Sequence, residues 1–444
     1  MNALNLIRGA WVAWFGITLV TGAEAPKPVA HFRHFADSSA TNGAALGWAP
    51  FAPRAEIEPR CSVDAQGGRT GRGALKIETG GNAAAFGGWR RNVEGVIGGR
   101  TYRLTAWYRA QDVAHERRSI TARLEWRDVK GAAVRPPDYA IDIGKDGAWT
   151  KVGYLAQAPD QARSVELQLS LGFTAQGQVW WDGIQLAEEP NPPRRIVRAV
   201  TVFHRPRDMQ SSAESVASFC RLIEEAAPAK PDLICLPEGV TVVGTGKSYA
   251  DVSEPVPGPT TRTLGELAKK QRTYLVAGLY ERSGEVVYNT AVLIGRSGEL
   301  IGSYRKTHLP REEWEAGVTP GDAYPVFETD FGKVGLIICW DLQFPEPARA
   351  MALKGAEVLL LPIWGGSEVL ARARAIENHV FLISSTYDMR SFIVDPTGAI
   401  LAEATQDQPV ASAELSLDRV FSQPWLGDMK TRTWKERRPD LPIE

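Results

Sequence analysis

The sequence predicts two folded parts of different class, an all-β part followed by an α/β part. From about His31 to Glu189, apolar and polar residues alternate with a period of two, which is typical of strands with one buried face. After a Pro-rich piece, helical and strand segments interleave, as they do in layered α/β domains. The length of 444 residues also favours two domains over one.

Composition and charge narrow the functional classes. Hydrophobic residues make up 44% and charged residues 23% of the chain, as in ordinary globular proteins. The formal net charge of −1 gives no electrostatic reason to expect nucleic acid or an anionic membrane as a partner. Four cysteines in so long a chain make no disulfide framework, and no CxxC or Cys/His cluster indicates a metal.

Residues 1–25 are predicted to be a signal peptide. Arg8 supplies a basic start, Ala10–Val20 an apolar run, and Ala23-Glu24-Ala25 a small-x-small cleavage site. The apolar run is shorter than the ~20 residues that span a bilayer. The sequence therefore predicts export, to the periplasm or by secretion. Because Pro26 would directly follow the cleavage site, an uncleaved membrane anchor stays an open alternative.

Residues 27–189 are predicted to form a β-sandwich. Turn clusters rich in Gly, Asp and Pro separate the strands at roughly the 8–12-residue spacing of such folds. The clearest strands are Ala74–Glu78, Thr101–Ala110, Ser119–Asp128 and Ser164–Leu171.

Three pieces of this segment resemble a carbohydrate-binding module with a galactose-binding-like jelly roll: Gly73–Ile77, Gly99–Arg109 and Val179–Leu186. The resemblance implies carbohydrate as a candidate partner. Seven tryptophans could stack on sugar rings or fill the sandwich core, and we favour the core for any single one. They are Trp48, Trp89, Trp107, Trp126, Trp149, Trp180 and Trp181.

A Pro-rich linker at residues 190–194 precedes the α/β domain at 195–444, whose tail begins at about Val420. Predicted helices cover Ser212–Ala226, Thr261–Gln271, Pro345 to about Lys354, and Glu368–His379. Predicted strands cover Ile196–Phe203, Asp232–Leu236, Tyr274–Leu279, Tyr288–Gly295, Leu300–Tyr304, Val334–Ile338, Val358–Pro362 and Val380–Thr386, with a hairpin near Phe392–Leu401.

Three strand ends of this domain carry reactive side chains. Glu238 follows one strand, Lys306 another, and Cys339 lies where the strand Val334–Ile338 gives way to a helix. Helix N–H groups near Cys339 would favour a thiolate. Each residue alone has a structural explanation, as a loop cap, a solvated lysine or a buried cysteine. The order Glu, Lys, Cys at three strand ends is the specific signal.

This order resembles the nitrilase, or carbon–nitrogen hydrolase, superfamily from Arg195 to about Asp428. Further matching pieces are Tyr288-Asn289-Thr290, Pro320-Gly321-Asp322, Phe344-Pro345-Glu346 and Arg374-Ala375-Ile376-Glu377-Asn378. The resemblance implies a four-layer α-β-β-α sandwich, a covalent thiol mechanism and no metal or organic cofactor. It also implies a homodimer, with the C-terminal tails crossing the partner; a tail folded on its own domain is the alternative.

The resemblance further implies roles for individual residues. Cys339 is the nucleophile, Glu238 the general base and Lys306 the cation beside the oxyanion. The backbone N–H of Trp340 is a further oxyanion donor, and Trp364 lies on the substrate side. Family members often carry a second glutamate between the Lys and the Cys. Glu315 fits that position best and Glu313 competes, since the spacing allows both.

The residues after the cysteine narrow the reaction. Nitrilases of this superfamily usually carry Cys-Trp-Glu, whereas many amidases and carbamoyl hydrolases carry Cys-x-Asp-x-x-Phe-Pro-Glu. Here Asp341 follows Cys339-Trp340, and Phe344-Pro345-Glu346 completes the second pattern. We therefore predict amide or N-carbamoyl hydrolysis. Nitrile hydrolysis and acyl transfer with the same three residues stay open, as does a non-catalytic glycan-binding or scaffold protein. A papain-type Cys–His pair is disfavoured, and His308 and His379 are predicted to be structural hydrogen bonders.

Overall fold

The structure is a computed structural model that describes residues 27–32, 47–227 and 230–441. The predicted signal peptide therefore lies outside the described residues. The chain divides into two compact units, which we call unit 1 (residues 1–192) and unit 2 (residues 193–444). None of the described helices is long and apolar enough to cross a membrane.

Unit 1 is built almost entirely from antiparallel strands. Within the described residues, a seven-stranded sheet has the order β3-β4-β12-β6-β10-β9, with β1 also paired to β12, and a five-stranded sheet has the order β2-β5-β11-β7-β8. The elements are β1 Lys27–Phe32, β2 Ala49–Phe51, β3 Arg60–Asp64, β4 Ala74–Glu78, β5 Phe86–Glu94, β6 Thr101–Gln111, α1 Glu116–Ser119, β7 Ile120–Arg127, β8 Asp138–Tyr139, β9 Ile141–Asp146, β10 Trp149–Gln157, β11 Ser164–Gly172 and β12 Gln178–Glu189.

One hydrophobic core joins the two sheets of unit 1, because alternate residues of both sheets point into it. Four of the seven tryptophans that the sequence analysis singled out are at most 1% exposed in this core: Trp48, Trp89, Trp126 and Trp181. The prediction of core packing is confirmed for these four. Trp107 and Trp180 instead carry Arg or Lys groups over their rings, as does the ring of Trp149.

Unit 2 contains two six-stranded mixed sheets in the described residues, with the orders β17-β16-β15-β14-β13-β24 and β18-β19-β20-β21-β22-β23. The strands are β13 Ile196–Val202, β14 Leu233–Cys235, β15 Tyr274–Ser283, β16 Val286–Ile294, β17 Leu300–Arg305, β18 Val326–Glu328, β19 Lys333–Leu336, β20 Val358–Pro362, β21 Phe381–Ser385, β22 Ser391–Val394, β23 Ile400–Ala404, β24 Val410–Ser416, β25 Ser422–Gln423 and β26 Gly427–Asp428. The helices are α2 Ser212–Ala226, α3 Pro259–Gln271, α4 Arg311–Glu315, α5 Pro345–Leu353, α6 Glu368–Asn378 and α7 Met429–Glu436.

The sheets of unit 2 share a core, and the helices cover their outer faces. On β14, Leu233 and Cys235 point into the core between the sheets, whereas Ile234 packs with residues of α2 and α3. On the other side, α5 and α6 contribute buried side chains such as Met351 and Ala375. The result is a layered α/β unit. The predicted helix Ser212–Ala226 has the observed bounds, with Ser211 accepting the Glu214 N–H as its N-cap.

Candidate active site

Three strand ends of unit 2 carry the residues that the sequence analysis selected. Glu238 lies three residues beyond β14, Lys306 directly follows β17, and Cys339 lies three residues beyond β19. The strand before the cysteine ends at Leu336, earlier than predicted. Because the ends of neighbouring strands lie close together, the sheets bring these distant parts of the sequence to one place.

Gly278 on β15 allows the Glu238 backbone to approach this strand. A Cβ atom at this position would lie 2.7 Å from the Glu238 Cα. That is closer than non-bonded carbon atoms pack, at about 3.5 Å or more. Any side chain at residue 278 would therefore displace the strand end that carries Glu238.

Lys306 is a buried ammonium between two carboxylates. It is 1% exposed, and its Nζ lies 2.9 Å from Glu238 Oε1 and 2.9 Å from Glu313 Oε2. Burial by itself would lower the pKa of Lys306, but the negative charges of Glu238 and Glu313 raise it. The side chain thus keeps its positive charge although it lies in the interior.

Glu238 is held by several donors. Its Oε1 accepts hydrogen bonds from Lys306 Nζ at 2.9 Å and from Asn289 Nδ2 at 2.7 Å. Its Oε2 accepts the backbone N–H of Trp364 at 2.9 Å, and its carbonyl oxygen accepts the Tyr387 hydroxyl at 2.8 Å. These contacts fix the position of the carboxylate.

The second glutamate of the site is Glu313, and the preference for Glu315 is corrected. Glu313 is 3% exposed, and its Oε1 accepts the Tyr280 hydroxyl at 3.0 Å and Asn289 Nδ2 at 2.5 Å. The Glu315 side chain is 58% exposed and pairs with Arg311 at 2.7 Å. Glu313 and Glu315 are two residues apart on helix α4, which places them roughly 200° apart around the helix axis. The Glu313 side chain therefore faces inward and the Glu315 side chain outward.

Glu313 is the second carboxyl group at Lys306, and its pKa depends on the charges of both neighbours. Burial raises the pKa of Glu313, and the negative charge of Glu238 raises it further, while Lys306 lowers it. The net direction is upward, which favours a proton on this carboxyl group.

Cys339 lies beside this cluster in an unusual backbone conformation. Its φ is +41°, in the left-handed region that residues with a side chain rarely adopt. A tight 3-10 turn, Cys339–Gln343, begins here, and helix α5 begins only at Pro345. The cysteine residue as a whole is partly exposed.

The surroundings of Cys339 favour a thiol over the expected thiolate. Burial raises the pKa of Cys339, and the charge of Glu238 and a hydrogen bond to it raise it further. Lys306 and the Trp364 backbone N–H act in the opposite direction without cancelling this rise. These effects favour a protonated resting sulfur, beside a carboxylate that can accept the proton.

The two tryptophans that the sequence analysis selected differ in their contacts. Trp364 donates its backbone N–H to Glu238, and its ring packs edge-on against Tyr387 with a centroid distance of 4.8 Å. The Trp340 side chain is 40% exposed, and its peptide N–H directly follows Cys339. Trp364 thus orients the carboxylate, and Trp340 borders the thiol.

The two histidines of the rival interpretation form structural hydrogen bonds, as predicted. His308 Nδ1 lies 3.0 Å from Asp341 Oδ1, and its ring stacks on Phe344. His379 Nε2 lies 2.9 Å from Thr433 Oγ1. Within the described part of the chain, no group of three His, Cys, Asp or Glu residues is arranged to hold a metal ion.

Sequence reasoning missed the roles of Asn289 and Tyr280. It used Asp341 only to favour amide or N-carbamoyl hydrolysis over nitrile hydrolysis. Asn289 Nδ2 bridges Glu238 and Glu313, and Tyr280 supports Glu313. The Tyr288-Asn289-Thr290 piece is part of the family resemblance, but its position in the sequence does not indicate that the Asn289 amide contacts both glutamates.

The arrangement is suited to acyl chemistry. A protonated thiol lies next to a carboxylate acceptor, and a buried ammonium next to both can stabilise negative charge on an incoming carbonyl oxygen.

A model of the family described as carbon-nitrogen hydrolase matches residues 209–424. The chain is 31% identical over 235 residues to an omega-amidase NIT2 of Xenopus tropicalis, a match that covers 46% of this chain and 84% of that protein. It is 35% identical over 218 residues to a nitrilase of Pyrococcus abyssi, covering 44% and 81%. A solved carbon-nitrogen hydrolase from Helicobacter pylori G27 matches 55% of this chain and 96% of its own, with 28% identity and a TM-score of 0.45. The chain belongs to the carbon-nitrogen hydrolase family.

Proposed function

We propose that unit 2 hydrolyses the C–N bond of amide or N-carbamoyl substrates through a thioester on Cys339. The observation that carries the proposal is the buried Lys306 ammonium, which lies 2.9 Å from both Glu238 and Glu313 beside the thiol. Burying a cation and two carboxylates costs desolvation free energy. Such a buried cation is well suited to stabilise negative charge that develops on a substrate oxygen.

The reaction proceeds in two halves. As the Cys339 sulfur attacks the carbonyl carbon, Glu238 takes the thiol proton, and the carbonyl oxygen becomes an oxyanion stabilised by Lys306 and the Trp340 N–H. The C–N bond then breaks, and the proton on Glu238 leaves with the nitrogen as ammonia or an amine. Glu238 next takes a proton from water, whose oxygen attacks the thioester. The acid is released, and the proton returns to the sulfur.

The raised pKa of the Cys339 thiol agrees with this sequence of steps. Because the sulfur keeps its proton at rest, proton transfer to Glu238 accompanies the attack instead of preceding it. Glu313 lies across Lys306 from Glu238 and, with its own raised pKa, can hold a proton near the substrate nitrogen.

The Cys-x-Asp pattern formed by Cys339 and Asp341 supports amide over nitrile hydrolysis. The relatives named above include both an omega-amidase and a nitrilase. Small amides, carbamoyl amino acids and nitriles should be compared by ammonia release, with hydroxylamine added to detect acyl transfer. We expect amides or carbamoyl compounds to be turned over fastest; faster nitrile turnover would reject the assignment.

The intermediate can be tested by intact mass. Incubation with a slow amide should add one acyl group to the wild-type protein and none to the Cys339→Ser variant. An acyl-free wild type during turnover, or full activity in the variant, would reject the thioester.

We also propose that unit 1 is a galactose-binding-like module that binds an acidic saccharide. A groove of about 400 Å³ lies on the outer face of its five-stranded sheet. Phe51 and Phe86 line it together with Arg54, Arg90 and Arg123. The guanidinium groups of Arg54 and Arg90 form no hydrogen bond or ion pair with any described residue, whereas that of Arg123 is bound to Gln168. Unpaired guanidinium groups beside apolar rings suit a sugar that carries a carboxylate.

The groove can be tested with the full chain by calorimetric titration of galacturonate oligosaccharides and neutral galactose oligosaccharides. We expect binding of the acidic sugar, lost when Arg54→Gln and Arg90→Gln are combined and retained in Arg60→Gln, which changes an exposed arginine on the other sheet. Equal binding of neutral sugar, or binding that survives the double substitution, would contradict the assignment.

Export remains our proposal for the location of the protein, supported by the basic, apolar and small-residue order of residues 1–25. The mature N-terminus should be sequenced from the native host. A cytosolic chain that begins at Met1 would contradict export, and a membrane-bound chain that keeps these residues would favour the uncleaved anchor.

A further inference from the structure

We propose that Asp341 is a positioning residue, which holds the Cys339 thiol and the Lys306 ammonium in register through a single buried carboxylate. The proposal rests on the thioester function proposed above. It adds a residue that touches neither substrate nor the reacting atoms.

One oxygen of Asp341 holds the segment that carries the thiol. Its Oδ2 accepts the backbone N–H of Ile338, the residue before Cys339, at 3.0 Å. The same oxygen accepts the hydroxyl of Tyr304 at 2.7 Å, from the end of the strand that leads to Lys306. A carboxylate oxygen in this position bridges two strand ends.

The other oxygen holds the far side of the lysine segment. Oδ1 accepts the His308 backbone N–H at 3.0 Å and the Thr307 hydroxyl at 3.1 Å. It also lies 3.0 Å from His308 Nδ1, which must carry the ring proton to donate to a carboxylate. Donors thus come from both sides of Lys306, two residues before it and two residues after it.

The Asp341 carboxylate is 1% exposed and has five hydrogen-bond donors. Its hydrogen-bonding capacity is therefore met by the protein without water. The left-handed conformation of Cys339, next to the held Ile338 N–H, is one that the surrounding contacts must maintain. Loss of the carboxylate would therefore release the Cys339 turn and the Lys306 segment together. An asparagine would direct its NH₂ group at some of these donors, so it cannot replace the carboxylate.

The alternative is that Asp341 only stabilises the fold. Asp395 provides a matched control, since it is 6% exposed and its Oδ1 accepts Thr397 N–H, Thr397 hydroxyl and Ala399 N–H in the turn between β22 and β23. Asp395→Asn likewise replaces a buried, hydrogen-bonded carboxylate by an amide, at a position without a hydrogen bond to Glu238, Lys306 or Cys339.

The experiment compares Asp341→Asn, Asp395→Asn and the wild type by kcat, KM, thermal unfolding, and the pH profile of iodoacetamide alkylation of Cys339. We expect both variants to unfold at lower temperature. Only Asp341→Asn should lose kcat, by roughly the 100-fold that small misplacements of reacting groups cause, with a smaller change in KM. Only its alkylation profile should depart from that of the wild type.

A kcat and an alkylation profile of Asp341→Asn equal to those of Asp395→Asn would overturn the proposal. If Asp341→Asn fails to fold, Tyr304→Phe takes its place, because it removes one of the five donors and leaves the carboxylate. Its kcat should fall in the same direction, and an unchanged kcat would equally overturn the proposal. If the wild type turns over no amide, the proposed function fails, and the alkylation profiles still decide the role of Asp341.

Discussion

At the scale of single residues, the site is a set of groups whose charges depend on one another. Glu238 and Glu313 raise the pKa of Lys306 against the effect of burial, and burial and Glu238 raise the pKa of Cys339. Removing one member leaves a buried charge without its partner, which typically costs about 3–5 kcal/mol. Substitutions at these positions therefore test chemistry and stability together.

Glu238→Gln keeps the shape of the side chain and removes the base. We expect kcat to fall by ~10²–10⁴-fold, the usual size of general-base catalysis. Combined with Cys339→Ser, it should cause little further loss, because the two residues act as a unit. Steady-state kinetics of the single and double variants provide the measurement, and losses that multiply would contradict the shared role.

The two candidate glutamates form a matched pair on one short helix. Glu313→Gln should lower turnover by on the order of 100-fold, since it removes one of the two carboxylates at Lys306. Glu315→Gln should leave turnover unchanged, because that side chain is exposed and pairs only with Arg311. A loss in Glu315→Gln with none in Glu313→Gln would reverse our correction.

The raised pKa of Cys339 predicts a pH dependence. The thiolate reacts with iodoacetamide and the thiol does not, and the pKa lies above the ordinary value of 9.0. Alkylation of the wild-type protein should therefore be slow at pH 7 and still rising with pH at pH 9. The modified mass, measured over this range, gives the rate, and a plateau near pH 7 would show a resting thiolate instead.

At the scale of elements, helix α6 carries an exposed apolar stripe. Val369 is 73% and Ile376 44% exposed, and seven residues of separation place both on one face of the helix.

The C-terminal tail contacts its own unit, through Phe421 against Phe381 and Thr433 against His379. The sequence analysis left two arrangements open, a tail that crosses the partner and a tail folded on its own domain. The contacts of Phe421 and Thr433 favour the second.

We propose a homodimer that uses the α6 stripe. Light scattering at micromolar concentration should give a dimer for the wild type and a monomer when Val369→Glu and Ile376→Glu are combined, since charges in an apolar interface are unfavourable. Trp425→Glu, at a 77% exposed position in the tail, is the control and should remain dimeric. A monomeric wild type would contradict the proposal.

At the scale of the whole molecule, each unit has a hydrophobic core of its own. The core of unit 1 draws on residues from Val29 in β1 to Leu186 in β12, and that of unit 2 draws on residues from Val197 onward. A chain that begins at Arg194 should therefore fold and keep its hydrolase activity. Circular dichroism and ammonia release measure this. A well-folded, inactive truncated chain would mean that unit 1 contributes to the active site.

Local patterns in the sequence determined most of the secondary structure and the three reactive strand ends. The period-2 segments became strands and the helix Ser212–Ala226 has its predicted bounds, because burial of one face imposes these periods on the sequence. The strand Val358–Pro362 also has its predicted bounds, as a continuous apolar run that is buried at every position. Glu238, Lys306 and Cys339 could be selected from the sequence because their order at three predicted strand ends is specific, although each residue alone is not.

Only the tertiary structure decided which distant groups meet. Asn289 bridges Glu238 and Glu313 across 51 and 24 residues of sequence, and no local pattern predicts such a contact. The choice of Glu313 over Glu315 depended on which face of α4 turns inward. The protonated state of Cys339 depended on burial and on the charges around it. These properties are set by the pairing of strands and the packing of helices, so they appear only when the layers have assembled.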